Sequence, residues 1–521
     1  MKALSPNSLK LGLATAVSLL AMIGFDSAAM AADLEIKSDN VRFIGDVEPE
    51  EGKRLVQNLE VFRSTILALT GVKGNPDKKP LHVYGQRNVR ELNKYLSTRG
   101  VGGIYLQSGL EGPTFLTTTK GGFDIEQFEA QVAMHEYSHH VLHGMTIEDF
   151  PRWYDEGFAN YLSTFKLEGD IITIGTPNAW HGKFLKENKW LDPETVFKSV
   201  DNYPRRVNIL LFYGQAWLYV HYMQNTPELG KKLPEYLENL SKKMDPIVAF
   251  ESAYGMTARE FHNAARDYWR ENAFPVVQFK ADETLLKPPM TIRTLNEDQA
   301  ALAFATGRRN FMTEKTAKTL QKTYAELSKT MGETKEILVG QTHSALVLEK
   351  YEAAENFAKK ALSKAPNDAS VLSINGSVGY AKLYKAAKKG KRKDDIKLFP
   401  NSAETIAVRD AYRKTLDVDP LDFVANNHLL ALYGRSSLAI DETARQAANT
   451  FLIQFLRPQL VGQYVDLAYI HAKDNKPTEA CAFFRFAEAK TDDYPKKDVN
   501  DDWARAQAFK QTYNYCLATE G

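Results

Sequence analysis

Two histidines stand four residues apart in His135-Glu136-Tyr137-Ser138-His139. On a helix such positions share a face, so both imidazoles point the same way and can hold one zinc ion. Glu136 sits beside them and can act as general base on a zinc-bound water. A catalytic zinc needs a third protein ligand and an open fourth position. A histidine at position 145 would be one solution, but that residue is Met145, and Leu142 stands where the accompanying glycine would be. The other solution is a carboxylate on a following helix, and Trp153-Tyr154-Asp155-Glu156-Gly157-Phe158-Ala159-Asn160-Tyr161 offers Asp155 and Glu156 side by side. Asn160 follows Glu156 on the same helical face and can hydrogen-bond the far nitrogen of a zinc histidine; a plain surface asparagine is the alternative. His140 points away from the zinc face, and His143 continues the four-residue spacing but lies more than a turn further on; both read as structural.

The surrounding pattern supplies elements to position these groups. Asp33 to Lys37, Val41 to Phe43 and Leu81 to Tyr84 read as strands. Leu55, Leu59, Phe62, Ile66 and Leu69 recur at helical spacing between Glu48 and Thr70. Gly103 to Gln107 and Pro113 to Thr119 read as strands joined by a turn; the second is either an edge strand for an extended peptide or one arm of a structural hairpin. Phe123 to Leu142 is helical, and Pro151 opens a second helix running to about Phe165. Further helices span Tyr213 to Met223 and Ala258 to Trp269.

The Glu156-Gly157-Phe158-Ala159 stretch resembles that of aminopeptidase N-like gluzincins. The run from about Asp33 to Met223 more closely resembles bacterial exported peptidase-MA-like gluzincins, which often carry helical repeats. This resemblance implies that His135, His139 and Glu156 bind one Zn2+ per chain, with Glu136 as the base. It also aligns Tyr213 with a tyrosine that stabilises the oxyanion, although a core aromatic is an equal reading of that position. The Gly-x-Met-x-Asn segment that holds a substrate's free amine in the aminopeptidases is absent. Endopeptidase action on a peptide or protein is therefore the expectation, with Asp155 as a competing ligand.

Beyond about Asn296 the chain reads as all helical with an internal repeat. Tyr351, Ala354, Phe357, Ala361 and Pro366 are followed by Ala411, Tyr412, Leu416 and Pro420, then by Ala480, Phe484 and Ala487. Small residues where two helices touch, with an aromatic in the groove and a proline at the exit, resemble tetratricopeptide repeats, whose stacked surface implies a protein partner.

The formal net charge is +1, which gives no case for a nucleic-acid partner. The basic run from Lys385 to Lys393 reads as a solvated loop. Residues 1–31 read as a secretory signal: Lys2 and Lys10, an apolar run from Leu11 to Phe25, and Ala29-Met30-Ala31 at the cleavage site. Export implies a bacterial periplasm or the exterior and no stable membrane span after cleavage. The two cysteines, Cys481 and Cys516, can pair there, but spacing alone does not establish it.

The expected organisation is a signal at 1–31, an α+β zincin-like metallopeptidase domain at 32–280, a linker at 281–295 marked by Lys287-Pro288-Pro289, and an all-α tetratricopeptide-like domain at 296–521. The expected activity is hydrolysis by a zinc-activated water, with the repeats recruiting substrate or partner. The alternatives are a catalytically silent zincin-fold scaffold whose repeats bind proteins, and a zinc amidase acting on cell wall.

Overall fold

In the computed structural model, the described residues are 33–70, 79–96, 103–106, 110–118, 128–145, 150–177, 179–199, 207–242, 244–388, 398–456, 460–492 and 500–517. The proposed signal at 1–31 and most of the basic run lie outside them.

The first half is built on a six-stranded mixed sheet. Its strands are β1 (Asp33–Lys37), β2 (Val41–Asp46), β3 (Leu81–Gln86), β4 (Ile104–Leu106), β5 (Thr114–Thr118) and, from much later in the chain, β9 (Thr291–Thr294). Their order is β4-β5-β3-β2-β1-β9. Pairing β3 with β2 and β5 is parallel, and the other pairs are antiparallel. A smaller sheet joins β6 (Lys166–Glu168), β7 (Ile171–Ile174) and β8 (Val277–Lys280). The strand from Pro113 to Thr119 is therefore internal over Thr114 to Leu116, held by β4 on one side and β3 on the other.

Side chains alternate along each strand, so the large sheet has two faces to cover. Phe43, Val83 and Phe115 belong to the core that includes helix α1 (Pro49–Thr70), through Leu55, Leu59, Phe62 and Ile66, and helix α3 (Phe128–Met145), through Met134, Tyr137 and Val141. Ile44, Tyr84 and Leu116 form a separate cluster with Leu92 of α2 (Val89–Leu96) and with Leu295 and Ala300. Helices α4 (Arg152–Leu162), α5 (Ile209–Gln224) and α6 (Ala258–Glu271) complete the first core, with shorter helices between them.

Residues 281–295 are not a free linker. Thr291 to Thr294 pair with Lys37 to Leu34 of β1. The Gln57 amide donates to the Leu286 carbonyl at 2.5 Å. The prolines punctuate the chain, but main-chain pairing across the sheet outweighs the local signal.

The second half is a row of helices: α7 (Glu297–Arg308), α8 (Glu314–Met331), α9 (Lys335–Val347), α10 (Tyr351–Lys364), α11 (Ala369–Lys388), α12 (Ala403–Val418), α13 (Phe423–Gly434), α14 (Glu442–Gln454), α15 (Val461–Lys473), α16 (Pro477–Asp492) and α17 (Asn500–Thr512). Each odd-numbered helix from α7 to α17 packs on the next odd-numbered one, and the even-numbered helices pack mainly on their sequence neighbours. This is a two-layered helical-repeat array. The inner helices α9, α13 and α15 are buried on nearly all sides, whereas the outer α8 buries the stripe Ala317, Leu320, Tyr324 and Leu327.

Glycines let outer tyrosines press against inner helices. A Cβ on Gly340 of α9 would lie 2.1 Å from the Tyr324 ring, and one on Gly376 of α11 would lie 2.7 Å from Tyr412. Ala354, Ala361, Leu416, Ala480, Phe484 and Ala487 are buried, as the repeat pattern requires. Asp466 of α15 pairs with Arg435 after α13 and with the buried Arg505 of α17, tying successive inner helices together. A disulfide joins Cys481 to Cys516, with Cα atoms 5.2 Å apart.

The two halves meet through α7. Gly307 lies against the Tyr84 ring, and Tyr95 donates to the Phe304 carbonyl. Arg309, buried, pairs with Glu111 at 2.6 Å. No described helix is long and apolar enough to cross a membrane.

Candidate metal centre

Helix α3 carries His135, Glu136 and His139, all buried. Helix α4 starts immediately after Pro151, whose fixed φ suits a helix N-terminus. It brings Asp155 and Glu156 under the histidines. Gly157 is required by the next layer: a Cβ there would stand 2.4 Å from the Ala216 carbonyl oxygen of α5. That backbone-to-backbone approach packs α4 tightly on α5, which is capped by Asn208 and carries Tyr213.

The nitrogen and oxygen atoms converge. The Nε2 atoms of His135 and His139 are 3.1 Å apart. Glu156 Oε2 lies 3.1 Å from His135 Nε2 and 3.5 Å from His139 Nε2. Zinc bonds of about 2.0–2.1 Å at tetrahedral angles place neighbouring ligand atoms roughly 3.4 Å apart. Two imidazoles and a carboxylate at this spacing fit such an ion. Among the described residues, His135, His139 and Glu156 are the group of metal-ligating side chains that meets in this way.

Asp155, an alternative ligand on sequence grounds, takes a different place. Its Oδ1 lies 3.0 Å from His139 Nδ1, on the far side of the ring from the cluster. It fixes the tautomer that leaves Nε2 available to a metal. Sequence reasoning offered Asn160 for this outer role; the residue that fills it for His139 is Asp155. Arg152 adds a balancing charge, with Nη1 3.6 Å from Asp155 Oδ2 and 3.5 Å from Glu156 Oε1.

The electrostatics follow from packing these charges together. Burial alone would lower the His139 pKa, but the Asp155 and Glu156 carboxylates overcome it and hold the imidazole well above its usual value. Burial would raise Glu156, yet His139 and His135 hold it well below the usual carboxylate range. His181 is buried nearby, and burial followed by the charge of His135 pulls it down to about 3.

Tyr213 is also beside the cluster, its ring centroid 6.2 Å from that of His135. His140 is structural: Tyr105 hydrogen-bonds its Nδ1 and Tyr137 stacks on the ring. The side chain of His143 lies outside the described residues.

Residues 311–421 match the family model of the coatomer epsilon subunit. The match falls within the helical array, from the end of α7's turn to the start of α13, and does not extend to the histidine helix. No curated protein matches the chain.

This finding corrects the earlier resemblance. The matched family is a helical-repeat adaptor type, and no peptidase family matches, so the gluzincin assignment and the metallopeptidase class are withdrawn. The physical reason lies in what the motif encodes. A four-residue histidine spacing with a later carboxylate specifies where ligand atoms meet; it does not specify turnover. The roles of base for Glu136 and oxyanion donor for Tyr213 were drawn from that resemblance, and the match at 311–421 reaches neither residue.

Proposed function

We propose that this chain is a non-catalytic scaffold whose helical array binds a protein partner and whose first domain, zincin-like in outline, is braced by one zinc ion. The observation that carries the reading is the match of residues 311–421 to a helical-repeat family, in an array that stacks continuously from α7 to α17. Stacked repeats present extended surfaces suited to protein recognition rather than to chemistry on a small molecule.

His135, His139 and Glu156 would hold the ion, which when bound supplies a fixed positive charge joining α3 to α4. Asp155 orients His139, and Arg152 offsets the second carboxylate. The signal-like residues 1–31 and the Cys481–Cys516 disulfide support export to an oxidising compartment.

The test uses full-length protein cross-linked in its native compartment and purified, beside Glu136→Gln. The expected result is a stoichiometric protein partner retained by both forms, with no peptide hydrolysis by either. Zinc-dependent hydrolysis abolished in Glu136→Gln, with no partner retained, would overturn the scaffold reading.

A further inference from the structure

Helix α4 opens with a cation that does not suit the helix itself. Arg152 is its first residue, and a positive charge in the first turn opposes the helix macrodipole. The side chain is nonetheless drawn inward, 17% exposed, against those of Asp155 and Glu156, which are 5% and 2% exposed. Residues three and four positions further on share a helical face with the first, so one guanidinium reaches both carboxylates.

The four carboxylate oxygens divide into two pairs. One pair faces His139 from opposite sides of its ring: Asp155 Oδ1 lies 3.0 Å from Nδ1 and Glu156 Oε2 lies 3.5 Å from Nε2. The other pair faces Arg152, whose Nη1 is 3.6 Å from Asp155 Oδ2 and 3.5 Å from Glu156 Oε1. For Glu156 this division has a chemical consequence. A carboxylate can hold a cation through one oxygen or through both. With Oε1 turned to Arg152, Oε2 is the oxygen that meets the Nε2 atoms of His135 and His139. The chain then presents two nitrogens and one oxygen, a set that suits four-coordinate zinc. Ions such as Mn2+ favour six ligands and more oxygens.

We propose that Arg152 sets the metal preference of this site by holding the second oxygen of Glu156 away from the ion. The inference rests on the reading of the first domain as braced by zinc, and it supplies a reason for that choice of ion. Arg152 is a positioning residue: it acts through Glu156. Loss of its charge alone acts on all divalent cations alike. Release of Oε1 does not, because an added oxygen ligand favours the ion with the higher coordination number.

The experiment measures zinc and manganese dissociation constants on metal-free, full-length protein, zinc by chelator competition and manganese by electron paramagnetic resonance of the unbound ion. Wild type is compared with Arg152→Met, which keeps an apolar stem, and with Arg152→Lys, which keeps a charge and a donor. The preference for zinc over manganese should fall roughly tenfold in Arg152→Met and largely return in Arg152→Lys. Arg152→Leu repeats the measurement if the methionine form does not fold. Cobalt gives a second readout that does not depend on affinity: the visible bands of the four-coordinate ion should weaken in Arg152→Met as the second oxygen joins. Both dissociation constants moving by the same factor, or a cobalt spectrum unchanged by the substitution, would overturn the proposal while the zinc brace stands. Wild-type protein that takes up no zinc would overturn the brace itself and this inference with it, so the two failures are distinguishable.

Discussion

The metal cluster and the helical array are opposite ways of building a functional surface. The cluster is a few side chains on two adjacent helices, and its geometry turns on distances of about 3 Å. The array spreads its organisation over many repeated contacts, with no group of metal-ligating residues among those described. A compact cluster announces itself in sequence through residue types, yet those types define a coordination geometry shared by active and inert proteins. A repeat announces itself through spacing alone, and it was the array that matched a known family.

If the two are independent devices, damage to one should spare the other. Glu156→Ala should weaken zinc binding by about 100-fold or more, read by metal analysis and chelator competition, with the array's thermal transition unmoved. A shift of that transition would show that the ion also supports the repeats. Gly340→Val should destabilise the array by about 3 kcal/mol, because the added atoms meet the Tyr324 ring, while zinc stoichiometry below the transition stays unchanged. Chemical denaturation monitored by circular dichroism reads the first effect. Asp155→Ala should weaken zinc roughly 10–100-fold without emptying the site, since it orients a ligand without being one. Full loss of metal would return Asp155 to the ligand set.

The smallest effect concerns Asp422, the buried cap of α13. Burial pushes its carboxyl up to about 6, against the opposing pull of the Ala425 amide, Lys79 and Ser373. Because the folded value is raised, the associated stability is fully present below the unfolded value of 3.8 and is lost as pH rises through about 6. Asp422→Asn retains an acceptor for the Ala425 N–H without the buried charge. It should be more stable than wild type by about 2 kcal/mol at neutral pH, a gain that vanishes below the unfolded carboxyl value. Calorimetry across that range reads the sign.

The legible parts of the fold were those governed by neighbours in sequence. Helical periodicity placed Leu55, Leu59, Phe62 and Ile66 in the core, and helix geometry put His135 and His139 on one face. The repeat positions Ala354, Ala361 and Tyr412 were legible because small and aromatic residues alternate at fixed intervals. The pairing of β9 with β1 was not, since four exposed residues after a proline pair carry no local mark of a distant strand. Nor was the division of labour between Asp155 and Glu156: both are carboxylates on one helix, and only the direction each presents to His139 separates them. Gly340 and Gly376 passed unnoticed because their partners, Tyr324 and Tyr412, lie on neighbouring helices.

The closure of β1 by β9 has a consequence for how the molecule is made. The opening strand must wait until more than half the polypeptide has been synthesised before its outer margin is covered. Until then its main-chain groups stand open, a condition that favours either a holding chaperone or passage across a membrane as an extended chain. Shortening the message just before residue 291 should therefore yield an aggregating fragment, not a trimmed domain.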